Sequence, residues 1–500
     1  MVTNIKNRFL LPAFIAALNL LPARPAAAQT FTTLHSFTAL SGITNSDGAY
    51  PDAGLILSGN TLYGTANNGG SSDKGTVFRV NADGSSFMNL HSFTAYVSGT
   101  NRDGAAPRAS LLISGTNLYG TAYEGGSSDC GTVFRVNTDG TGFTNLHSFP
   151  LVSGPYPRTN SDGAFPLAGL VLSGNTLYGT ARDGSTNGSG TVFALNTDGM
   201  GFTNLYTFTA SSGPPATNRD GAYPSGTLIL SGNILYGTAQ AGGTNGTGTV
   251  FAFNTNCTGF TNLHNFTATS GSLATNSDGA FPYGGLILLG GTLYGTAEYG
   301  GTNGSGTVFA ISTNGTGFTI LHEFSSSVFV DYLNINSDGA YPTGPLILSG
   351  GTLYGTASDG GTNGSGTVFA LNIDGTGFTN LHNFAATSGS LATNSDGAYP
   401  NGGLILSGKT LYGTASQGGD SFNGTVFSLS LAPQLAIMLS GINVILTWPA
   451  NFTGFTLQST TNLVSPAGWN TNLPVPVAVN GTNTVTNPIA GKQMFYRLSQ

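Results

Sequence analysis

Apolar residues in this chain come in short runs, four to a unit, separated by glycine, asparagine and Asp-Gly turns. In the first complete unit, Gly54-Leu55-Ile56-Leu57 is apolar almost throughout, as in a strand covered on both faces. Ser58-Gly59-Asn60 turns tightly into Thr61-Leu62-Tyr63-Gly64-Thr65-Ala66, which predicts a hairpin. A loop rich in Gly, Asn and Ser leads to Gly75-Thr76-Val77-Phe78-Arg79-Val80. Asp83-Gly84 then turns into Phe87-Met88-Asn89-Leu90-His91-Ser92-Phe93. Every connection is too short for a crossover, so the four strands form an antiparallel meander. Strict alternation along the earliest copy of the fourth run puts Phe31, Thr33, His35 and Phe37 on one strand face.

The unit repeats. Leu-Tyr-Gly-Thr-Ala recurs with its tyrosine at Tyr63, Tyr119, Tyr178, Tyr236, Tyr294, Tyr354 and Tyr412, in steps of 56, 59, 58, 58, 60 and 58 residues. A four-stranded meander at fixed period, with no helix between copies, predicts an all-β fold: a seven-bladed β-propeller of four-stranded antiparallel blades. The rival, an open β-solenoid, has shorter coils and leaves two exposed sheet ends. The copy count favours a ring. The third run starts at Gly75, Gly131, Gly190, Gly248, Gly306, Gly366 and Gly424, whereas the fourth has its first copy at Phe31–Phe37, ahead of any first run. The last repeat, Gly403 to Leu429, lacks a fourth run. A one-plus-three closure, in which the head supplies the tail's missing strand, removes the free edges. With run one innermost, the long connections (Asn67 to Lys74, Thr38 to Pro51) share one face, where binding surfaces are usually built.

Outside the propeller, predicted over 29–431, lie two other segments. Lys6 and Arg8, the apolar stretch Phe9 to Leu21 and Pro25-Ala26-Ala27-Ala28 predict a secretory signal over 1–28, cleaved near Ala28. The expectation is a protein that is secreted, cell-surface or periplasmic, with no membrane insertion after cleavage. Beyond the repeat, 432–500 holds both tryptophans, Trp448 and Trp469. Strand-like runs at Asn443 to Trp448, Phe455 to Gln458 and Phe495 to Leu498 suggest a small immunoglobulin- or fibronectin-like β-sandwich.

Charged residues make up only 7% of the chain, against about 25% in ordinary domains. Losing Lys6, Arg8 and Arg24 with the leader takes the net charge from −7 to −10. That argues against nucleic acid or anionic membrane as partner, since both need clustered Lys and Arg. Disorder, the default for so polar a composition, is opposed by 39% apolar residues, with 31 Phe and 19 Tyr at periodic positions. Cys130 and Cys257 stand at different positions of non-adjacent repeats, so they read as tolerated substitutions and not a disulfide.

The candidate chemistry recurs with the repeat. All six histidines (His35, His91, His147, His264, His322, His382) hold one position, with Tyr206 in the seventh copy. Spread one per blade they cannot share a metal, and packing between blades is expected. Asp47, Asp103, Asp162, Asp220, Asp278, Asp338 and Asp396 recur in Asn-x-Asp-Gly-Ala-x-Pro. They read as structural Asx-turn residues, with calcium ligation or glycosidase chemistry as the functional alternative. No cofactor is implied beyond that possible calcium. Asn334-x-Asn336-x-Asp338-Gly339 lacks the bidentate Glu of a calcium loop. Residues that break the repeat on the long-loop face are the better ligand-binding candidates: Glu124, Arg182, Asp183, Glu298, Tyr299, Asp359 and the insertion Ser325 to Asn334 with Phe329, Asp331 and Tyr332. Drift at loop tips accounts for the same variation.

The series Pro-x-x-Gly-Leu-Ile-Leu-x-Gly-x-x-Leu-Tyr-Gly-Thr-Ala-x-x-Gly-Gly, ending in Gly-Thr-Val-Phe-x-Leu, resembles the Gloeo-Verruco (GloVer) tandem repeat of exported bacterial choice-of-anchor proteins, over residues 31 to about 430. Leu435 to Leu498 resembles the small β-domain that closes many such proteins. The resemblance implies export and often an anchoring tail, although no Leu-Pro-x-Thr-Gly signal is present. It implies no reaction and so no catalytic residue. Two functions follow as expectations. The first is a monomeric, non-enzymatic module binding glycan or protein through its long-loop face, or serving as a surface-structural element. The second is a carbohydrate-active hydrolase or lyase whose carboxylates, among Glu124, Asp183 and Glu298, converge over a central channel.

Overall fold

The computed structural model describes residues 30–154, 158–330, 333–389, 392–431, 435–449, 455–461, 469–471, 473–479, 482–488 and 494–499. The leader segment, Asp331 and Tyr332 lie outside the described residues. Contacts divide the chain into two units, Phe31–Leu429 and a second that contains Ser430–Gln500. The described residues are all-β apart from one 3-10 turn, Gly70–Ser72, and no helix among them is long and apolar enough to cross a membrane.

Among the described residues of the first unit, the strands pair into seven four-stranded antiparallel sheets, numbered here 1 to 7 by the tyrosines Tyr63 to Tyr412. Sheet 1 runs Ile56–Ser58, Thr61–Ala66, Thr76–Asn81, Met88–Ser92, each strand beside the next. Sheet 4 adds a fifth strand, Ala222–Pro224, on Ile234–Ala241. Sheet 7 draws on both ends of the unit. Phe31–Ser36 pairs with Thr425–Ser430, Phe31 opposite Leu429 and Ser36 opposite Thr425. A bulge between Thr33 and His35 breaks the strict alternation expected there, and the fourth strand of each sheet carries the same irregularity. One extra residue in a strand changes which face the following side chains take.

The apolar runs are continuous because both faces of each sheet are covered. Tyr63 and Val77 of sheet 1 pack with Leu118, Phe134 and Val136 of sheet 2. Leu62 and Phe78, their neighbours along the same strands, pack with Tyr412 and Val426 of sheet 7. The cores therefore lie between sheets, and large side chains such as Phe37, Phe78 and Phe93 are fully buried in them. Each such side chain contributes roughly 2–3 kcal/mol by leaving water. Gly64 sits where this packing is tightest: a Cβ there would lie 2.6 Å from Phe78 Cζ and 2.8 Å from Leu55 Cδ2.

Polar links join the same sheets. The Leu-Tyr-Gly-Thr-Ala threonine donates to a carbonyl of the next sheet's entry: Thr65 to Ala109, Thr121 to Ala168, Thr238 to Gly284, Thr296 to Gly344, Thr356 to Gly402, and Thr414 of sheet 7 to Ala53 of sheet 1 at 2.8 Å. Thr180, facing sheet 4, is the exception among the described residues: its hydroxyl is buried without a partner.

In the second unit, Ala436–Ser440, Asn443–Pro449, Thr482–Pro488 and Val477–Val479 form one antiparallel sheet, and Thr456–Thr460 with Phe495–Ser499 forms another. Trp448, Leu446, Val485 and Leu457 make its core.

Candidate functional site

The segment entering each sheet is fixed from its Asn-x-Asp-Gly-Ala-x-Pro sequence. Asn45 forms the turn: its Oδ1 accepts from Gly48 N and Gly70 N, both 2.9 Å, and its Nδ2 donates to Thr38 O and Gly48 O. Asp47 instead faces back to the previous sheet, accepting from His35 Nε2 at 3.0 Å and from the Thr38 N–H and hydroxyl. Burial raises its pKa, but the bonds from His35 and Thr38 outweigh that and hold it below the ordinary carboxylate value. His35 in turn stacks on Phe87 of sheet 1, ring centroids 3.7 Å apart. Equivalent stacks join every sheet to the next, including His382 on Phe31 at 3.9 Å. In the copy without histidine, the Tyr206 hydroxyl donates to Asp220 at 2.6 Å. The histidines and aspartates thus form inter-sheet joints, and no group of three or more His, Cys, Asp or Glu among the described residues could hold a metal.

The residue before the proline has an unusual backbone. Tyr50, Ala106, Phe165, Tyr223, Phe281, Tyr341 and Tyr399 all have φ between 53° and 59°, a conformation that bulky side chains rarely adopt. Two hydrogen bonds hold it. The Tyr50 N–H donates to Asn423 O of sheet 7 and Tyr50 O accepts from Asn67 N. Six of these residues are aromatic, and several meet the residues after Thr-Ala in the preceding sheet: Tyr341 with Tyr299 (5.0 Å), Phe165 with Tyr123 (5.3 Å), Tyr223 under Arg182 (5.3 Å).

The next position breaks the repeat completely. After an invariant proline come Asp52, Arg108, Leu167, Ser225, Tyr283, Thr343 and Asn401, all different. Asp52 accepts from Asn401 Nδ2 (3.3 Å) and Asn67 Nδ2 (3.2 Å), and Asn67 Oδ1 accepts from Arg108 Nε (3.4 Å), a chain across sheets 7, 1 and 2. Burial pushes the Asp52 carboxyl up. The Tyr283 hydroxyl is pushed up to about 12, by burial first, and it senses charges from four sheets: Arg108, Glu298, Arg182 and Asp52. Charges from four sheets are therefore felt together at this end of the first strands.

The expected candidates divide among three places. Glu298 and Asp359, on adjacent sheets 5 and 6, belong to the convergent group. Burial raises Glu298 to about 7, a polar contact with Tyr299 opposes this, and the Asp359 charge adds to it. Burial alone raises Asp359 to about 6. Tyr299 and Tyr341 stand beside this pair. Asp183 is tied to Arg182 by an ion pair of 3.0 Å. Glu124 lines a different cavity, of about 310 Å³, with Asp129, Cys130, Leu151, Val152, Arg158 and Phe165. Of the three carboxylates expected to converge, Glu298 and, through Arg182, Asp183 thus lie with the group around Tyr283, whereas Glu124 lines a separate cavity. Phe329 lies on a short hairpin, Val328–Val330 with Leu333–Ile335, and is 67% exposed.

The Gloeobacter/Verrucomicrobia repeat model matches residues 24–213, 158–331 and 327–443. The chain belongs to that repeat family. No curated protein matches it in sequence. Solved structures similar to this family member include an oligogalacturonate lyase in complex with manganese (11% identity, covering 82% of this chain and 94% of that one, TM-score 0.46). A putative 6-phosphogluconolactonase from Bacteroides uniformis has 14% identity, coverage of 90% and 100%, and TM-score 0.42. The GH74 enzyme of Niastella koreensis has 13% identity, coverage of 89% and 60%, and TM-score 0.43.

Asp52, Arg108, Tyr283 and Asn401 were not among the residues singled out from the sequence of this repeat protein. The signal was present: seven identities at one position, framed by near-constant neighbours. It stood inside the strand-entry motif and not in a loop insertion.

Proposed function

We propose that the protein is an exported seven-bladed β-propeller, sealed by Phe31–Ser36 in the last blade and followed by a small β-sandwich, that binds glycan at its long-loop face. The innermost strands then surround a central channel, with the seven unlike residues at its mouth. That unlikeness is the observation that carries the reading. A purely structural ring has no use for Asp52, Arg108, Tyr283 and Asn401 at equivalent positions, whereas an asymmetric ligand does. Aromatic faces beside carboxylates and amides are the surface that sugars use, stacking a ring face and bonding hydroxyls. No cofactor is needed. A glycan array probed with the mature protein tests the reading, with Tyr283→Ala as control. Binding that disappears in a folded Tyr283→Ala protein is expected, and an array blank for the wild type sinks it.

A second reading, cleavage of a glycan, draws on the Glu298–Asp359 pair. A carboxyl held near neutrality beside a more acidic one is the arrangement for proton donation to a leaving oxygen. Release of reducing ends from a polysaccharide, abolished by Glu298→Gln, would establish it. Glycan binding without turnover leaves the protein a binder.

A further inference from the structure

We infer that the glycan is acidic, with its carboxylate or sulfate ester gripped between Arg108 and Arg182 and its sugar rings against the tyrosines of the same mouth. This rests on the glycan reading above and narrows it. The chain has 14 Lys and Arg in 500 residues, so two guanidinium groups on adjacent sheets at one end of the innermost strands are a concentrated charge. Both lie near Tyr123: the Arg108 guanidinium is 4.9 Å over its ring, and the Tyr123 hydroxyl acts on the Arg182 charge. Arg182 also lies 5.3 Å over Tyr223. Stacking of this kind fixes the plane of the guanidinium and leaves its edge to bond an anion with two parallel N–H groups.

The two arginines differ in what they already hold. Arg182 has Asp183 at 3.0 Å. Arg108 has no ion pair among the described residues; its one hydrogen bond there runs from Nε to Asn67 Oδ1 at 3.4 Å, which leaves its terminal nitrogens available. Its side chain is exposed. The carboxylate nearest in the network, Asp52, is occupied by Asn67 and Asn401. The Tyr283 hydroxyl, within reach of both guanidinium charges, supplies a neutral donor beside them. Exposure alone is ordinary for an arginine; what marks Arg108 is that its guanidinium is held over Tyr123 and acts on Asp52 without forming an ion pair among the described residues.

The test uses the mature chain and calorimetric titration with three probes of equal length: a uronate tetrasaccharide, its fully methyl-esterified form, and a sulfated neutral tetrasaccharide. The uronate or the sulfated probe should bind about tenfold or more tightly than the ester, and the preference between these two names the anion. Arg108→Gln should remove most of that advantage and Arg108→Lys should restore part of it, with thermal melting unchanged. If neither the uronate nor the sulfated probe binds more tightly than the ester, or if folded Arg108→Gln keeps the preference, the inference falls and the glycan reading stands. If all three probes and a panel of neutral glycans fail to bind, both fall together.

Discussion

At Asp47, Asp103 and Asp338 one carboxylate accepts bonds from a histidine of the previous sheet and from the N–H and hydroxyl of the residue after its phenylalanine. In all three, burial raises the pKa and those bonds lower it further than burial raises it. A carboxyl whose folded pKa is depressed contributes stability that is present above its unfolded value, here 3.8, and is lost as pH falls toward the folded value. Denaturant midpoints should therefore fall on acidification below about pH 4, with a shallower fall in Asp103→Asn; parallel curves would contradict the assignment. The third repeat tests the same joint in reverse. Pro150 stands where the others have Thr38, Thr94, Thr209, Thr267, Ser325 or Ala385, and it alone has neither N–H nor hydroxyl to give. Asp162 takes the Ser161 hydroxyl instead, and His147 Nε2, at 3.2 Å, is out of hydrogen-bond alignment with it. Burial accordingly lowers the His147 pKa against the opposing Asp162 charge. Pro150→Thr should recover about 1 kcal/mol, read as a higher denaturant midpoint at pH 7, whereas an unchanged or lower midpoint would mean that the proline's stiffness outweighs the bonds. The sequence put the histidines at one repeat position, but their partners lie 12 to 16 residues onward, across a loop that alternation does not predict.

At the scale of strands and turns, what could be read in advance was what chain-local chemistry dictates. Short apolar runs, Gly-Asn and Asp-Gly turns and antiparallel order all follow from neighbours in sequence, and the strand pairing agrees with them. The bulge after Thr33 was not readable, because an extra strand residue near helical φ/ψ needs no special side chain. Nor were the left-handed aromatic residues before the prolines, since their conformation is held by carbonyls of the preceding sheet. The turn into the fourth strand offers a contrast in which the sequence itself marks the strain. Gly84, Gly140 and Gly199 there have φ from 84° to 88°, and Cys257 stands at the same position with φ 68°. A side chain in that region costs about 1–2 kcal/mol. Cys257→Gly should raise stability by an amount of that order, with no effect on any function of the long-loop face. A lower melting temperature would show that the exposed side chain makes a contact worth more than the strain.

At the scale of the molecule, closure decides whether seven sheets cooperate or merely follow one another. Three independent contacts bind the first part of the unit to the last. Phe31–Ser36 pairs with Thr425–Ser430, Thr414 bonds Ala53, and Asp52 holds Asn401. Their partners are about 350 to 400 residues apart, so these contacts can form only after nearly all of the unit has been made, and forming such contacts late is slow. Removing Phe31–Phe37 would expose the Thr425–Leu429 edge, take His35 from Phe87, and open the fully buried surroundings of Phe37. The unpaired edge would then offer its N–H and C=O groups to another chain. The expected outcome is a lower melting temperature with concentration-dependent association, seen by light scattering. A peptide spanning Thr30–Thr38, added in excess, should reverse both by refilling the edge. A truncated protein that stays monomeric and melts where the full chain does would mean that the sheets stand without being sealed, and the mouth proposed for Asp52, Arg108 and Tyr283 would lose its physical basis.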